Sequence, residues 1–164
     1  MSFLEAIRPA KLAEVQALRA SPPDMQRWDA PRPFVEALRG PALRAIAEVK
    51  RRSPSRGEIR PGADPADIAR AYEQAGASAI SVLTDLPHFG GTLDDLVAVR
   101  EAVALPVLRK DFLLDELQID QAWALGADAV LLIVAFLSPR RLAELHAHAL
   151  ALGLGVLVEA HDAE

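Results

Sequence analysis

The chain has 164 residues, 51% hydrophobic and 25% charged, with a mean hydropathy of +0.15, a composition that can bury a core and excludes a disordered tail. It contains no cysteine, which removes disulfide scaffolds, cysteine-zinc sites, iron-sulfur clusters and thiol nucleophiles together. A net charge of -5 and a pI near 5.4 give no general attraction to nucleic acid or an anionic membrane, so the expected partners are small molecules or proteins, while the absence of cysteine fits the expected location, a reducing cytoplasm. Charge arrives early, in Met1-Ser2-Phe3-Leu4-Glu5, and no run approaches the roughly 18 apolar residues that span a bilayer, so neither a signal peptide nor a transmembrane helix is predicted.

Residues 3–20 carry apolar positions at Leu4, Ile7, Leu12, Val15 and Leu18, a helix-like stripe interrupted at Pro9. A proline-rich connector, Ser21 to Pro33, leads to a short helical stretch around Phe34 to Leu38 that Gly40 and Pro41 end. Residues 1–41 therefore read as an N-terminal helical extension, and residues 42–164 as a different kind of sequence.

From Leu43 onward, short apolar runs alternate with helix-period segments. The runs are Leu43 to Val49, Ala79 to Leu83, Pro106 to Arg109, Ala129 to Val134 and Gly155 to Glu159, each of strand length. Asp64 before Pro65, Thr92 with Asp95, Asp115, and Ser138 before Pro139 are N-cap signals, and Gly76, Gly126 and Gly153 sit where helices should stop. Gly76-Ala77-Ser78-Ala79-Ile80 and Gly126-Ala127-Asp128-Ala129-Val130 form a weak repeat that carries a helix stop straight into a buried strand. Repeated βα units predict an α/β protein with a parallel sheet, either open and doubly wound or part of a closed barrel.

In both architectures reactive groups gather at the carboxyl ends of the strands. The first run ends in Glu48-Val49-Lys50, the third in Arg109-Lys110-Asp111-Phe112, and the fifth in Val158-Glu159-Ala160-His161. Alternation places Glu48 with Lys50, and Leu157 with Glu159, on common faces, so convergence of those faces would join two lysines and two glutamates in one mouth. Two neighbouring ammoniums disfavour each other's protonation, which suits general acid chemistry near neutral pH. Charged residues also end strands simply because strands end at solvent. Ser53-Pro54-Ser55-Arg56-Gly57 could bind an anion or be an ordinary loop. His146 and His148 lie two apart in a helix and do not share a face, His88 and His161 lack spaced partners, and no metal site is predicted. Arg51-Arg52 is too short for a nucleic-acid stripe. No dinucleotide, Walker, nucleophile-elbow or zincin motif is present.

Ile46-Ala47-Glu48-Val49-Lys50-Arg51-Arg52-Ser53-Pro54-Ser55-Arg56-Gly57 resembles the first-strand signature of the indole-3-glycerol phosphate synthase family of (β/α)8 TIM barrels. Ser81-Val82-Leu83-Thr84 with Phe89-Gly90-Gly91, Leu105 to Phe112, Leu131 to Val134, and Val158-Glu159 match it in the same order. The helices before the first strand also look like that family's extension.

The resemblance implies that Lys110 is the general acid, that Glu159 is an acid or base in dehydration, and that Glu48 orients and balances the charges. Lys50 would contact anionic groups of the substrate or donate a proton. Ser53, Pro54, Phe89, Phe112 and Leu131 would line the substrate pocket. The implied carboxy-lyase reaction converts 1-(2-carboxyphenylamino)-1-deoxyribulose 5-phosphate to indole-3-glycerol phosphate in tryptophan biosynthesis, with neither cofactor nor metal. Family features expected after Glu159 are not found, and Asp162 reads as the N-cap of a helix without residues to follow. The expectation is an incomplete barrel of about five βα units, weak or inactive alone, whose open edges are covered by a second copy or a missing C-terminal barrel segment. Two alternatives stand beside it: another phosphosugar barrel enzyme such as an isomerase, or a non-enzymatic five-stranded flavodoxin-like binding or signalling domain.

Overall fold

The computed structural model describes residues 3–59 and 62–161. The N-cap expected at Asp162 lies outside them. Five strands, β1 (Ile46–Val49), β4 (Ala79–Leu83), β5 (Val107–Lys110), β6 (Ala129–Ile133) and β7 (Gly155–Glu159), form one parallel sheet in the order β1-β4-β5-β6-β7. Each strand thus pairs with the next one of that sheet in the chain. A flavodoxin-like sheet reverses direction at a switch point, so this unidirectional order belongs to the barrel alternative.

Helices α3 (Pro65–Gln74), α5 (Leu93–Ala102), α6 (Glu116–Ala124) and α7 (Pro139–Ala151) alternate with these strands. Their starts are set by the expected caps: Asp64 accepts from Ala66 N, Ser138 from Arg141 N, and Thr92 and Asp115 each close a reciprocal capping box. The strand faces toward these helices, carrying Ile80, Val82, Val107, Val130 and Leu132, pack with Leu96, Val99, Ile119 and Leu145 into the main core. The first strand is shorter than its apolar run because Ala45 O already accepts from Ser78 N and Ala79 N, and Leu43 before it lies 98% exposed.

Alternation sends the other set of side chains to the opposite face. At its lower end Phe34, from the short helix α2 (Phe34–Ala37), packs on Ala79, Leu108 and Ala129 and closes the floor. At its upper end Ile7 joins Phe112, Leu131, Ile133 and Phe136. Ile7 belongs to α1 (Phe3–Ala20), which runs unbroken through Pro9 although proline forfeits a helical hydrogen bond. Burial of Ile7, Lys11 and Val15 at four-residue spacing anchors the helix on both sides of it.

The connector between α1 and α2 is not a loose linker. Arg27 Nη2 lies 3.1 Å from Asp128 Oδ1, and Arg32 N donates to the same oxygen at 2.7 Å. Arg100 Nε lies 3.1 Å from Asp128 Oδ2, which also accepts from Val107 N at 2.9 Å. Asp128 is fully buried, so a strap from the extension is pinned to the bottom of the sheet by one carboxylate. Gly126, with φ +89, leaves no room for a side chain: a Cβ there would lie 2.8 Å from the Trp28 ring of the strap.

Candidate active site

The carboxyl ends of the strands surround a cavity of about 470 Å³ lined by Glu48, Lys50, Phe89, Lys110, Phe112, Leu131 and Glu159, with Phe3, Leu4, Leu83, Asp111, Ile133 and His161. All the residues expected to do acid–base work thus meet in one mouth. Glu48 stands between the two lysines: Lys110 Nζ donates to Glu48 Oε2 at 2.7 Å, and Lys50 Nζ lies 2.7 Å from Oε1. Burial pushes the Glu48 carboxyl up, but hydrogen bonds from Lys110 and Lys50 and their charges outweigh it and hold the group below its ordinary value. Glu159 faces them from β7, with His161 Nε2 3.2 Å from its Oε1. His161 was not legible as a partner, although its i, i+2 spacing from Glu159 was a usable signal.

The remaining wall is apolar. Phe112 stacks edge-on against Phe136 at 5.8 Å and lies 6.3 Å from Phe89, while Phe3 of α1 approaches Phe112 at 6.2 Å. An ionic cluster on one side and aromatic rings on the other suit a substrate with a planar ring and polar reacting atoms.

Ser53 and Pro54 do not line this cavity. They face an adjoining groove of about 640 Å³ that also touches Phe3, Lys50, Ser55, Arg56, Ile59 and Phe89. The loop that holds them contains a small antiparallel hairpin, β2 (Arg52–Ser53) with β3 (Gly57–Glu58). Ser53 Oγ accepts from Arg56 N at 3.2 Å, closing the turn. Arg51 donates to Gly90 O at 3.1 Å and Arg52 to Pro87 O, so the arginine pair tethers the loop to the segment around α4 (Leu86–Phe89). That segment stays close to the sheet because Gly91 lacks a side chain: a Cβ there would fall 1.9 Å from Leu83 O.

A second charged cluster lies directly beside the cavity. Lys11 of α1, 1% exposed, is 2.8 Å from Asp85 and 2.8 Å from Asp111. Asp111 Oδ2 also accepts from Thr84 Oγ1 at 2.6 Å and from Arg109 Nη2 at 3.0 Å, and Oδ1 from Phe112 N at 2.8 Å. His88 Nδ1 lies 2.8 Å from Asp85 Oδ2. Burial pushes Asp111 up, yet the charges of Arg109 and Lys11 and hydrogen bonds from Lys11 and Thr84 hold it well below the usual carboxylate range. For Lys11 burial acts downward, but Asp111 and Asp85 prevail and raise it from 10.5 to about 12.

These directions fix a pH dependence. Because Asp111 and Glu48 are depressed in the folded chain, their stabilisation is present above the unfolded carboxylate values of about 4 and is lost as pH falls through the folded ones. Lys11 acts oppositely: its contribution is intact below 10.5 and is lost as pH rises through about 12. Urea midpoints measured along a pH series are expected to fall on acidification below about pH 5. A flat acid limb would contradict these pairings.

Among the described residues no group of three or more His, Cys, Asp or Glu is placed to hold a metal ion, and no helix is long and apolar enough to cross a membrane. His148 is not merely solvated, since its Nε2 lies 2.7 Å from Asp120 Oδ1 across α6 and α7.

A parallel sheet wound in one direction, with its ionisable groups gathered at the strand ends, defines a protein of the (β/α) TIM-barrel type. A solved mandelate oxidase variant with (S)-mandelic acid shares this fold, with a TM-score of 0.54 and 21% identity over 71% of this chain and 42% of the oxidase. The sequence is more specific. Residues 4–164 match the model of the family described as Indole-3-glycerol phosphate synthase, and the chain belongs to that family. It is 52% identical to the indole-3-glycerol phosphate synthase of Geobacillus kaustophilus over 99% of this chain and 63% of the relative. It is 54% identical to indole-3-glycerol phosphate synthase 2 of Streptomyces coelicolor over 93% of this chain and 56% of the relative. The chain therefore spans between 56% and 63% of the length of these two curated relatives.

Proposed function

We propose that the protein carrying this chain closes the indole ring of indole-3-glycerol phosphate from 1-(2-carboxyphenylamino)-1-deoxyribulose 5-phosphate, with loss of carbon dioxide and water. The observation that carries the reading is Glu48 holding both Lys110 and Lys50 at 2.7 Å in a cavity whose other wall is aromatic. Lys110 donates a proton to the substrate ketone as the ring carbon attacks it. Carbon dioxide then leaves that ring carbon and restores aromaticity, and Glu159 moves the proton that accompanies loss of the hydroxyl as water. Lys50 attracts the anionic groups of the substrate, and Glu48 fixes both ammoniums between turnovers.

Phe89, Phe112 and Leu131 flank the planar ring. Ser53 and Pro54 bound the adjoining groove, which reaches the cavity past Lys50 and Phe89 and gives the substrate room beyond its reacting atoms. The reading needs neither a metal nor a cofactor, and we place the protein in the cytoplasm, where such phosphorylated intermediates are made.

The test is to incubate the full-length protein that carries this chain with this substrate and follow indole fluorescence. Growth of the indole signal is the expected result. Isomerisation of a phosphosugar without any indole product would overturn the reading in favour of another barrel enzyme.

A further inference from the structure

Lysine is scarce in this chain: Lys11, Lys50 and Lys110 are its three, against fifteen arginines. Two of them bond Glu48 in the candidate active site, and the third reaches the same strand ends from the N-terminal helix. Its ammonium bridges Asp85, just beyond β4, and Asp111, just beyond β5, at 2.8 Å each. Asp111 directly follows Lys110, and Thr84 N donates to Lys110 O at 3.2 Å. The Asp85–Lys11–Asp111 bridge therefore crosses the gap between the two strands one residue beyond their last backbone bond.

Both carboxylates are buried, 1% and 3% exposed, so their repulsion is weakly screened, and Arg109 at 3.0 Å offsets Asp111 only from within β5 itself and does not join the two strand ends. Without the ammonium they would push the two strand ends apart, and β5 carries Lys110, whose own side chain is held by the single bond to Glu48. Phe3 and Ile7 of the same helix pack on Phe112 in the next position, which brings α1 to bear on the two residues that follow Lys110.

We propose that Lys11 is a positioning residue for Lys110, holding the end of β5 so that the Lys110 ammonium stays on Glu48. The proposal rests on the reading of Lys110 as the acid. Lys50 provides an internal control, because it bonds the other oxygen of the same Glu48 from just beyond the end of β1, and no bond joins it to Lys11, Asp85 or Asp111.

The experiment is trace acylation of the folded chain with acetic anhydride, with each lysine read by mass spectrometry; it requires no turnover. In Lys11→Met, Lys110 released from its carboxylate is expected to acylate about three- to tenfold faster, with Lys50 unchanged within about twofold. Lys11→Arg, which keeps a cation between Asp85 and Asp111, should bring Lys110 back toward its original rate. The double variant Lys11→Met with Asp85→Asn removes the repulsion along with the ammonium and keeps a side-chain acceptor for the cap of α4, so Lys110 in it should acylate near its original rate, and a rise there would count against the proposal even if the single variant unfolds. Equal or slower acylation of Lys110, or a parallel rise of Lys50 and Lys110, would overturn the proposal. Failure of the indole assay with the acylation pattern intact would instead count against the catalytic reading alone.

Discussion

Replacing Lys110 with alanine is expected to lower indole formation by about 100- to 10,000-fold relative to the unsubstituted protein, the range over which a positioned general acid acts. The fold should survive. The Lys110 side chain is 36% exposed, and its removal leaves Glu48 paired with Lys50 at 2.7 Å, so no buried charge is stranded. Loss of rate with an unchanged circular dichroism spectrum and urea midpoint would separate chemistry from stability. Near-normal turnover in Lys110→Ala would refute the assignment of the acid.

The second large effect is structural. Asp128→Ala is expected to cost about 3–5 kcal/mol, because it takes the buried carboxylate from two buried cations, leaving them only the exposed carboxylate of Asp29, and deprives two backbone N–H groups of their acceptor. Arg27 and Arg100 lose a carboxylate at 3.1 Å, and the backbone N–H groups of Arg32 and Val107 lose acceptors at 2.7 and 2.9 Å. Asp128→Asn retains oxygen for one side of this network and should cost less. Urea unfolding measures both, and limited proteolysis between Ser21 and Pro33 should accelerate in the alanine variant as the strap lifts. A loss below about 1 kcal/mol in Asp128→Ala would mean that the network is solvated in solution.

The two variants bear on opposite ends of the same sheet, and the two ends were unequally legible. Strand alternation and the ends of the apolar runs offered Glu48, Lys50, Lys110 and Glu159 as one group provided their faces converge, because each lies within or beside its own strand's local pattern, while ordinary solvent-facing strand ends fitted the same pattern. Ser53 and Pro54 were legible as a loop but not as the wall of a neighbouring groove, since that depends on how Arg51 and Arg52 tie the hairpin down. Lys11 was hidden. Its position on an apolar stripe gives no sign that two aspartates receive it, and those partners are 74 and 100 positions away. Asp85, just past the second strand, carries no local sign of its role either, yet it is among the least exposed acids of the described residues.

Asp128 did leave a trace. The two copies of the repeat align Ser78 with Asp128, and in both the backbone N–H reaches the preceding strand, Ser78 N to Ala45 O and Asp128 N to Val107 O. The second copy carries an acid where serine suffices at the first, and the structure gives that acid the added partners Arg27, Arg32 and Arg100. Their identity was beyond sequence reasoning, because the connector's Arg27 and Arg32 carry no periodicity that points to a buried carboxylate.

The reach of those contacts also orders the assembly of the chain. Neighbouring strands pair across short βα connections, whereas Arg27 finds Ala127 and Asp128 at separations of 100 and 101, and Arg8 finds Phe136 O at 128. Closing such long loops costs more entropy, and the reward exists only once the sheet that supplies the acceptors has formed. During synthesis α1 leaves the ribosome before the sheet it binds, yet is among the last of these elements to dock, waiting for a carboxylate a hundred residues behind Lys11. Until then its apolar stripe and its lone ammonium stand in water, and the upper rim of the sheet stays uncovered.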